Sequence, residues 1–400
     1  MAGRLQYYGD VETRRREQQQ RLRCDAHAFV EGEWAIPQIQ LLKISQVRNI
    51  AEQRMNLHPR LNIFCGENGS GKTSILEAMY LLGTGKSFRA HKLEKLIQRG
   101  QHTAIVYGTL KTEAGAIREL AIQKESKSTL INIAGHVGES LGQLARELPI
   151  LAITPESHAL IEEGPEVRRR YLDWGVFHVE PGYNEHWQRY MRALKQRNAL
   201  LKQARATTFE SMDAPWRHAL AEEGEQVHAL RAWYLEKLRP VFSELAVELL
   251  MDIENIALRL SKGWPESASL EAALNDGIER DIKYQATQSG PHRADILIED
   301  SDGSVQTRVS RGQQKLLVYA LRLAQIKLLI EYRQVYPVVL LDDLPAELDE
   351  KNLARVMGLL AAFGCQVMVT AIRPDAWAKG DIDFGKLFHV EQGCVSTAAC

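Results

Sequence analysis

The sequence predicts an α/β fold: a nucleotide-binding head on a parallel-sheet core, with an antiparallel β subdomain and an inserted helical lobe. Three observations carry this. Gly66-Glu67-Asn68-Gly69-Ser70-Gly71-Lys72-Thr73 fits the phosphate-loop pattern G-x-x-x-x-G-K-S/T without a mismatch. Pro337-Val338-Val339-Leu340-Leu341 is an apolar run that ends on the carboxylates Asp342 and Asp343. Between them, residues 161–284 hold long segments with apolar positions at helical spacing and few strand signals.

Composition narrows the class. At 400 residues the chain is long enough for more than one core-bearing unit. Its 50 Lys and Arg nearly balance 51 Asp and Glu, so any nucleic-acid surface must be local. The five cysteines show no CxxC pairing, and Cys65 and Cys365 sit in apolar strand-like runs, as small buried hydrophobes of a reducing cytosol do. No apolar run has the length of a membrane span, and no signal-peptide core begins the chain. A cytoplasmic protein without a membrane partner is expected.

In chain order, residues 1–37 form a polar, charged N-terminal extension, including Thr13 to Arg23, that lacks a core face and is expected to be disordered. The head's first part, 38–160, begins with an edge-like strand marked by Ile39, Leu41, Ile44 and Val47, leading into Arg48-Asn49. Leu61 to Cys65 reads as a short buried strand before the phosphate loop, and Ile75, Leu76, Met79, Tyr80 and Leu82 as the helix after it. That strand–loop–helix context is what the motif needs. Glycines let the backbone N–H groups of Gly66–Thr73 turn toward a polyphosphate, and the helix N-terminus adds its positive end. Lys72 would reach the outer phosphates and the Thr73 hydroxyl would ligate Mg²⁺, so a nucleoside triphosphate is the expected ligand. Thr103–Tyr107 and Ile117–Ile122 then read as strands joined by a turn at Gly115.

The helical lobe spans 161–284, with helical segments over Tyr190–Lys202 and Glu222–Leu250. It is too short, and lacks the sustained heptads, for a long antiparallel coiled coil. The rest of the head, 285–400, opens with a hairpin whose arms are Ala294–Ile298 and Val305–Val309. Ser310-Arg311-Gly312-Gln313 then opens an amphipathic helix through Leu317, Leu321, Ala324 and Leu328, with Ser310 as its N-cap. By itself this is an ordinary capped helix or a second anion site. Asp342, at the end of a central parallel strand, would stand on the Mg²⁺ side of the nucleotide, and Asp343 would face the attacking water. A short helix and a strand from Gln366 to Thr370 follow.

Together the phosphate loop, the Ser310 helix and the Asp342 strand resemble those of ABC-type ATPases. That resemblance implies a site shared between two chains: Lys72 and Asp342 of one subunit would face Ser310 of the other in a C₂, ATP-induced homodimer. A narrower likeness rests on Arg48-Asn49, GENGSGKTSILEAMYLLGTGKSFR (66–89), GPEVRRRYLD (164–173), LKQRNALLK (194–202), SGPHRADI (289–296), SRGQQKLL (310–317) and LLDDLPAELD (340–349). In this order they resemble the RecF family of bacterial recombination-repair ATPases. The resemblance implies ATP and Mg²⁺ as cofactors, DNA binding near single-strand gaps, and cooperation with RecR and, through it, RecO and the RecA recombinase. It also implies that Asn49 lies at the ATP and that Arg48 stacks on the base or reaches a phosphate, with an exposed strand-end arginine as the alternative. The chain departs from the family pattern at Ala294, where a second acidic residue is usual, and at Ala346, where a serine is usual.

Asp343 stands where many ABC ATPases carry a glutamate, so slow hydrolysis suited to a timer is expected. DNA-phosphate candidates are Arg168, Arg169, Arg170, Arg189, Arg192, Lys195 and Arg197, with a solvated helix face as the alternative for all and bracing of the lobe against the head for the first three. His292 and Arg293 would either approach the nucleotide or hold the lobe. His292 has no partner at metal-ligand spacing. Two other classes compete: a transporter's ATPase subunit, which would respond to a membrane partner, and a phosphate-loop small-molecule kinase, which would need no dimer.

Overall fold

The computed structural model describes residues 38–397, apart from 91–92, 112–114, 204–208, 251–255, 301–302 and 374–384. The expectation for residues 1–37 lies outside the described residues. The first part of the chain forms strands β1 (Gln38–Val47), β2 (Ile50–Asn56) and β3 (Leu61–Cys65), then helix α1 (Lys72–Thr84). Strands β4 (Thr103–Lys111), β5 (Ile117–Glu125), β6 (Thr129–Ile133) and β7 (His136–Val137) follow, then α2 (Leu141–Glu147) and β8 (Ile150–Ile153). The lobe region contributes α3 (Ala159–Glu162), α4 (Pro165–Val179), α5 (Tyr183–Leu201), α6 (Phe209–Leu249), β9 (Ala257–Ser261), α7 (Leu270–Asp276) and α8 (Ile278–Tyr284). The chain returns through β10 (Asp295–Asp300), β11 (Gly303–Ser304) and α9 (Arg311–Arg333). It ends in β12 (Val338–Leu341), α10 (Leu344–Glu347), α11 (Glu350–Phe363), β13 (Val367–Ala371), β14 (Gly385–Glu391) and β15 (Cys394–Thr397).

The head is two sheets with α1 between them. One is antiparallel, in the order β2-β1-β4-β5-β6-β7; the other runs β15-β14-β3-β13-β12-β8 and is parallel from β14 to β8. Side-chain alternation along β12 explains its continuous apolar run. Val338 and Leu340 join the core under α1, whereas Val339 and Leu341 join the core shared with the lobe and α9. A parallel strand covered on both faces has no polar side to show.

Three expectations are corrected. The strand at Ile39 is interior, because β1 pairs with both β2 and β4. A register shift between Ile39 and Leu41 also puts Leu42, not Leu41, in the core beside Ile44. The predicted second hairpin arm, Val305–Val309, is not a strand: β11 is only Gly303–Ser304, and Val305–Thr307 coil into a 3₁₀ turn capped by Ser304. The main partner of β10 is β9, which lies within the span read as helical; β9, β10 and β11 make a separate three-stranded sheet. The apolar-polar alternation of Ala257–Ser261 is too short to stand out between long helices.

Helices α5 and α6 pack antiparallel. His186 meets Glu223 near one end of the pair and Arg197 meets Asp213 near the other. Lobe and head are joined along the segment 291–295. Arg168 Nε and Nη2 donate to Asp295 at 2.7 and 3.0 Å, and Arg169 Nη1 donates to the Ala294 carbonyl at 2.8 Å. Arg231 Nη1 donates to the Pro291 carbonyl at 2.7 Å. Buried groups of this kind must be satisfied, and here the lobe's guanidinium groups satisfy them.

Candidate functional site

The phosphate loop leaves the C-terminal end of β3 and enters α1. Gly69 and Gly71 adopt φ of 80° and 120°, conformations that side-chain-bearing residues avoid, which explains two of the loop's three glycines. The loop is held from outside. Gly66 N–H donates to the Ala371 carbonyl at the end of β13, and Gly393 N–H, in the β14–β15 turn, donates to the Ser70 carbonyl at 2.7 Å. Asn49 Nδ2 also donates to Ser70 O at 3.2 Å, while Ser74 Oγ donates to Asn49 Oδ1 at 2.9 Å. Asn49 thus meets the outside of the loop.

Inside the loop, Lys72 is buried and its ammonium donates to the carbonyls of Gly66 and Glu67 at 2.6 and 2.8 Å. Burial lowers the Lys72 pKa from the usual lysine value, against the opposing pull of Asp343 and Asp342. Ser70 Oγ is buried with no hydrogen-bond partner among the described residues. An orphaned hydroxyl beside a buried ammonium and inward-turning glycines fits a polyphosphate.

Strand β12 delivers both acidic residues, β13 sets Thr370 beside them, and the start of α1 adds Thr73. Thr73 Oγ1 donates to Asp342 Oδ1 at 3.0 Å, and Thr370 Oγ1, near the end of β13, donates to the same oxygen at 2.7 Å. Burial raises the Asp342 pKa; the bonds from Thr370 and Thr73 oppose the shift, and neighbouring Asp343 adds to it. Asp343 has φ of 56°, in the left-handed region, and its N–H donates to Thr370 Oγ1 at 2.7 Å. The Thr73 hydroxyl at the start of α1, beside the Asp342 carboxylate just past β12, fits a hard, oxygen-seeking cation such as Mg²⁺.

Arg48 is occupied elsewhere. Its Nε and Nη2 each donate at 2.8 Å to Glu77, a fully buried carboxylate on α1 that Ser87 Oγ also engages. This bidentate pair raises the Arg48 pKa. Glu77 is thus the partner that Arg48 has in this geometry.

The Ser310 helix begins as expected. Ser310 Oγ accepts from Gln313 N–H at 3.3 Å and Gln313 Oε1 accepts from Ser310 N–H at 2.9 Å, a reciprocal capping box. Ser310, Arg311 and Gly312 are exposed. Among the described residues, no hydrogen bond or ion pair joins Ser310–Gln313 to Gly66–Thr73 of the same chain. Lys315, one turn on, pairs with Glu347 at 2.7 Å, tying α9 to the segment after Asp343.

The basic candidates separate. Arg197 is fully buried: it contacts Asp213 at 3.0 Å, Asp281 at 2.6 Å and the Thr287 hydroxyl at 3.0 Å. The expectation that it meets DNA is corrected, because a guanidinium between two buried carboxylates cannot reach a phosphate. Arg168 and Arg169 brace the lobe as described above. Arg170, Arg189, Arg192 and Lys195 are exposed, with Arg170 paired to Glu166, and Arg189 to Glu185 at 3.6 Å and to Glu223 at 3.4 Å. No Asp or Glu occurs from 186 to 209, so the outer face of α5 is cationic around Arg192 and Lys195.

His292 holds the lobe. Its Nε2 donates to the Thr287 carbonyl at 2.9 Å, which makes Nδ1 the acceptor for Tyr190 Oη at 2.5 Å. Burial pushes its pKa down to about 4, with Arg293, Arg169 and Arg231 adding to the shift. Sequence reasoning missed Thr370, Glu77, Arg231 and Gly393. Only Thr370 carried a usable signal, a polar residue closing an apolar strand at the sheet end where α/β ligands bind.

The chain resembles known proteins along nearly its whole described length. The profile of the RecF/RecN/SMC N terminal domain matches residues 38–396. The DNA replication and repair protein RecF of Pseudomonas paraeruginosa (strain DSM 24068 / PA7) is 39% identical over 360 residues, covering 89% of this chain and 96% of that protein. The RecF protein of Pseudomonas entomophila (strain L48) is 38% identical over 358 residues, covering 89% and 97%. A structure of the recombination mediator protein RecF with ATP, in the RecFOR pathway, superposes with a TM-score of 0.82 at 26% identity, over 92% of this chain and 100% of that one. An Smc head bound to the C-winged helix domain of ScpA shares the fold, with a TM-score of 0.55 at 16% identity over 91% and 98%.

Proposed function

The chain belongs to the RecF family of DNA replication and repair proteins, and from that premise we propose that it is an ATP-dependent, dimerising DNA switch of recombinational repair. ATP binds at Gly66–Thr73, with Lys72 on the outer phosphates. Thr73 and Asp342 hold Mg²⁺, which supplies neutralisation of phosphate charge when bound. Asp343 orients the attacking water. The observation that carries the reading is the exposed, capped helix N-terminus at Ser310, which has no partner in its own phosphate loop. Such an end offers N–H donors and a positive dipole to an anion, and a second copy of the chain brings one. Two sites are then completed by one C₂ interface.

ATP closes the dimer on single-stranded or gapped duplex DNA, with Arg170, Arg189, Arg192 and Lys195 as phosphate contacts. Hydrolysis, slow because Asp343 is one methylene shorter than glutamate, releases the DNA and acts as a timer. RecR, and through it RecO and RecA, are the partners, and the cytoplasm is the setting. Among the described residues, no helix is long and apolar enough to cross a membrane. The family assignment displaces the transporter and kinase readings.

The test compares affinity for gapped duplex DNA with ATP, with ADP and without nucleotide. Tight binding only with ATP supports the switch, because a ligand shifts a two-state equilibrium only by its differential affinity for the two states. Equal affinity in all three conditions overturns it.

A further inference from the structure

The fold puts one hydroxyl between the two acidic residues of the nucleotide site. Thr370 is the last residue but one of β13, which lies between β3, leading into the phosphate loop, and β12, leading into Asp342. The residue is 1% exposed, and among the described residues its hydroxyl bonds only to the acidic pair: Oγ1 donates to Asp342 Oδ1 at 2.7 Å and accepts from Asp343 N–H at 2.7 Å. We infer that Thr370 is a positioning residue of the nucleotide site, fixing through a single hydroxyl both the carboxylate of Asp342 and the backbone that aims Asp343. This deepens the ATPase reading proposed above and rests on it.

The backbone explains why such a device is needed. Asp343 sits at φ of 56°, in the left-handed region that costs an L-residue energy, though Asp tolerates it better than most. Two bonds enforce it: Asp343 N–H to Thr370, and Ala346 N–H to the Asp343 carbonyl at 3.0 Å. Only the first comes from outside the turn that follows. Without it Asp343 can relax toward ordinary backbone angles, and its side chain swings from the direction the turn imposes. Asp342 has a parallel constraint. Thr370 and Thr73 both donate to Oδ1, which restrains the rotation of the carboxylate.

A hydroxyl can donate and accept at once, whereas valine has the same shape and does neither. Serine keeps both bonds and loses only a methyl group. Among the described residues the Thr370 hydroxyl bonds neither to Lys72 nor to the loop N–H groups, so its loss should leave ATP capture in place and impair the chemical step.

The experiment measures steady-state ATP turnover on gapped duplex DNA, and equilibrium ATP binding, for the full-length wild type, Thr370→Val and Thr370→Ser. The expected result is a fall in kcat of roughly tenfold or more for Thr370→Val with KM and ATP affinity within about threefold of wild type, the pattern of an interaction made at the transition state. Thr370→Ser recovers most of the rate. Thr370→Val at wild-type kcat overturns the inference and leaves the ATPase reading intact, as does Thr370→Ser failing as badly as Thr370→Val while both bind ATP normally. If Thr370→Val does not fold, Thr370→Ser and Thr370→Cys decide: a folded cysteine variant that keeps the wild-type rate overturns the inference. A wild type that binds ATP without any turnover overturns the ATPase reading itself, and the inference with it.

Discussion

Replacing Arg197 by methionine removes the cation from a buried cluster while preserving most of the side-chain volume. In the native lobe its guanidinium spans Asp213 and Asp281, 0% and 1% exposed as side chains. In the variant, Asp213 still has Arg217 at 3.3 Å. Asp281 retains the Gln288 N–H at 2.8 Å, but the cation at 2.6 Å is gone. Breaking a buried pair this way leaves an uncompensated charge and costs about 3–5 kcal/mol. The thermal midpoint of the lobe should fall on the order of 10 °C. Adding Asp281→Asn should restore part of the loss, because the stranded charge, rather than the missing contact, dominates it. The assay is thermal unfolding followed by circular dichroism, alongside DNA affinity measured well below the midpoint. A stability loss under about 1 kcal/mol, as for an exposed arginine, together with weaker DNA binding, would refute the burial argument and return Arg197 to the DNA-facing set.

Other consequences are open to measurement. Alanine at Arg192 or Lys195 should weaken DNA binding and reduce the slope of log K against log salt by roughly 0.7–0.9 per residue, with the fold unaffected; an unchanged slope would remove α5 from the interface. Gly393→Ala should loosen ATP binding, since a Cβ there would lie 2.2 Å from the Asn49 carbonyl at φ of +81°, and the turn donates to Ser70; unaltered ATP affinity would contradict this clamp. His292 and His178 are pushed down to about 4 and about 3, mainly by burial, so they stay neutral in the fold while the unfolded chain protonates near its ordinary value. Stability is therefore fully present above that value and is lost as pH falls, by roughly 2 kcal/mol per histidine at pH 5. Unfolding midpoints from pH 7 to 5 would show it, and His178→Leu should flatten the decline by about half; a midpoint that rises on acidification would contradict the sign.

The motifs were legible in the sequence because their chemistry is local. A phosphate loop needs its glycines and lysine within eight positions, and Ser310 caps its helix through Gln313, three residues on. The buried strand at Val338–Leu341 was equally plain, since a parallel strand covered on both faces has to be apolar throughout. What escaped depends on distant pairing. Nothing near Arg197 in the chain distinguishes it from Arg192 or Lys195; Asp281, which holds it, lies 84 residues away. Arg48 is claimed by Glu77 on the next helix, and β9 becomes a strand because β10 is there to pair with it. The hairpin arm at Val305–Val309 had strand-like composition, yet the Ser304 cap turns the chain into a 3₁₀ turn first. Thr370 was visible as the end of a strand, but only the sheet order puts its hydroxyl between Asp342 and Asp343.

The central claim is that Ser310 completes a nucleotide site on a second copy of the chain. Ser310→Arg tests it most directly, by sedimentation and ATP turnover with and without gapped duplex DNA, because Ser310 lies on an exposed helix end and makes no bond to its own phosphate loop. The account predicts a variant that still binds ATP yet neither dimerises with it nor raises its turnover on DNA. A variant that hydrolyses ATP at the wild-type rate as a monomer would contradict it.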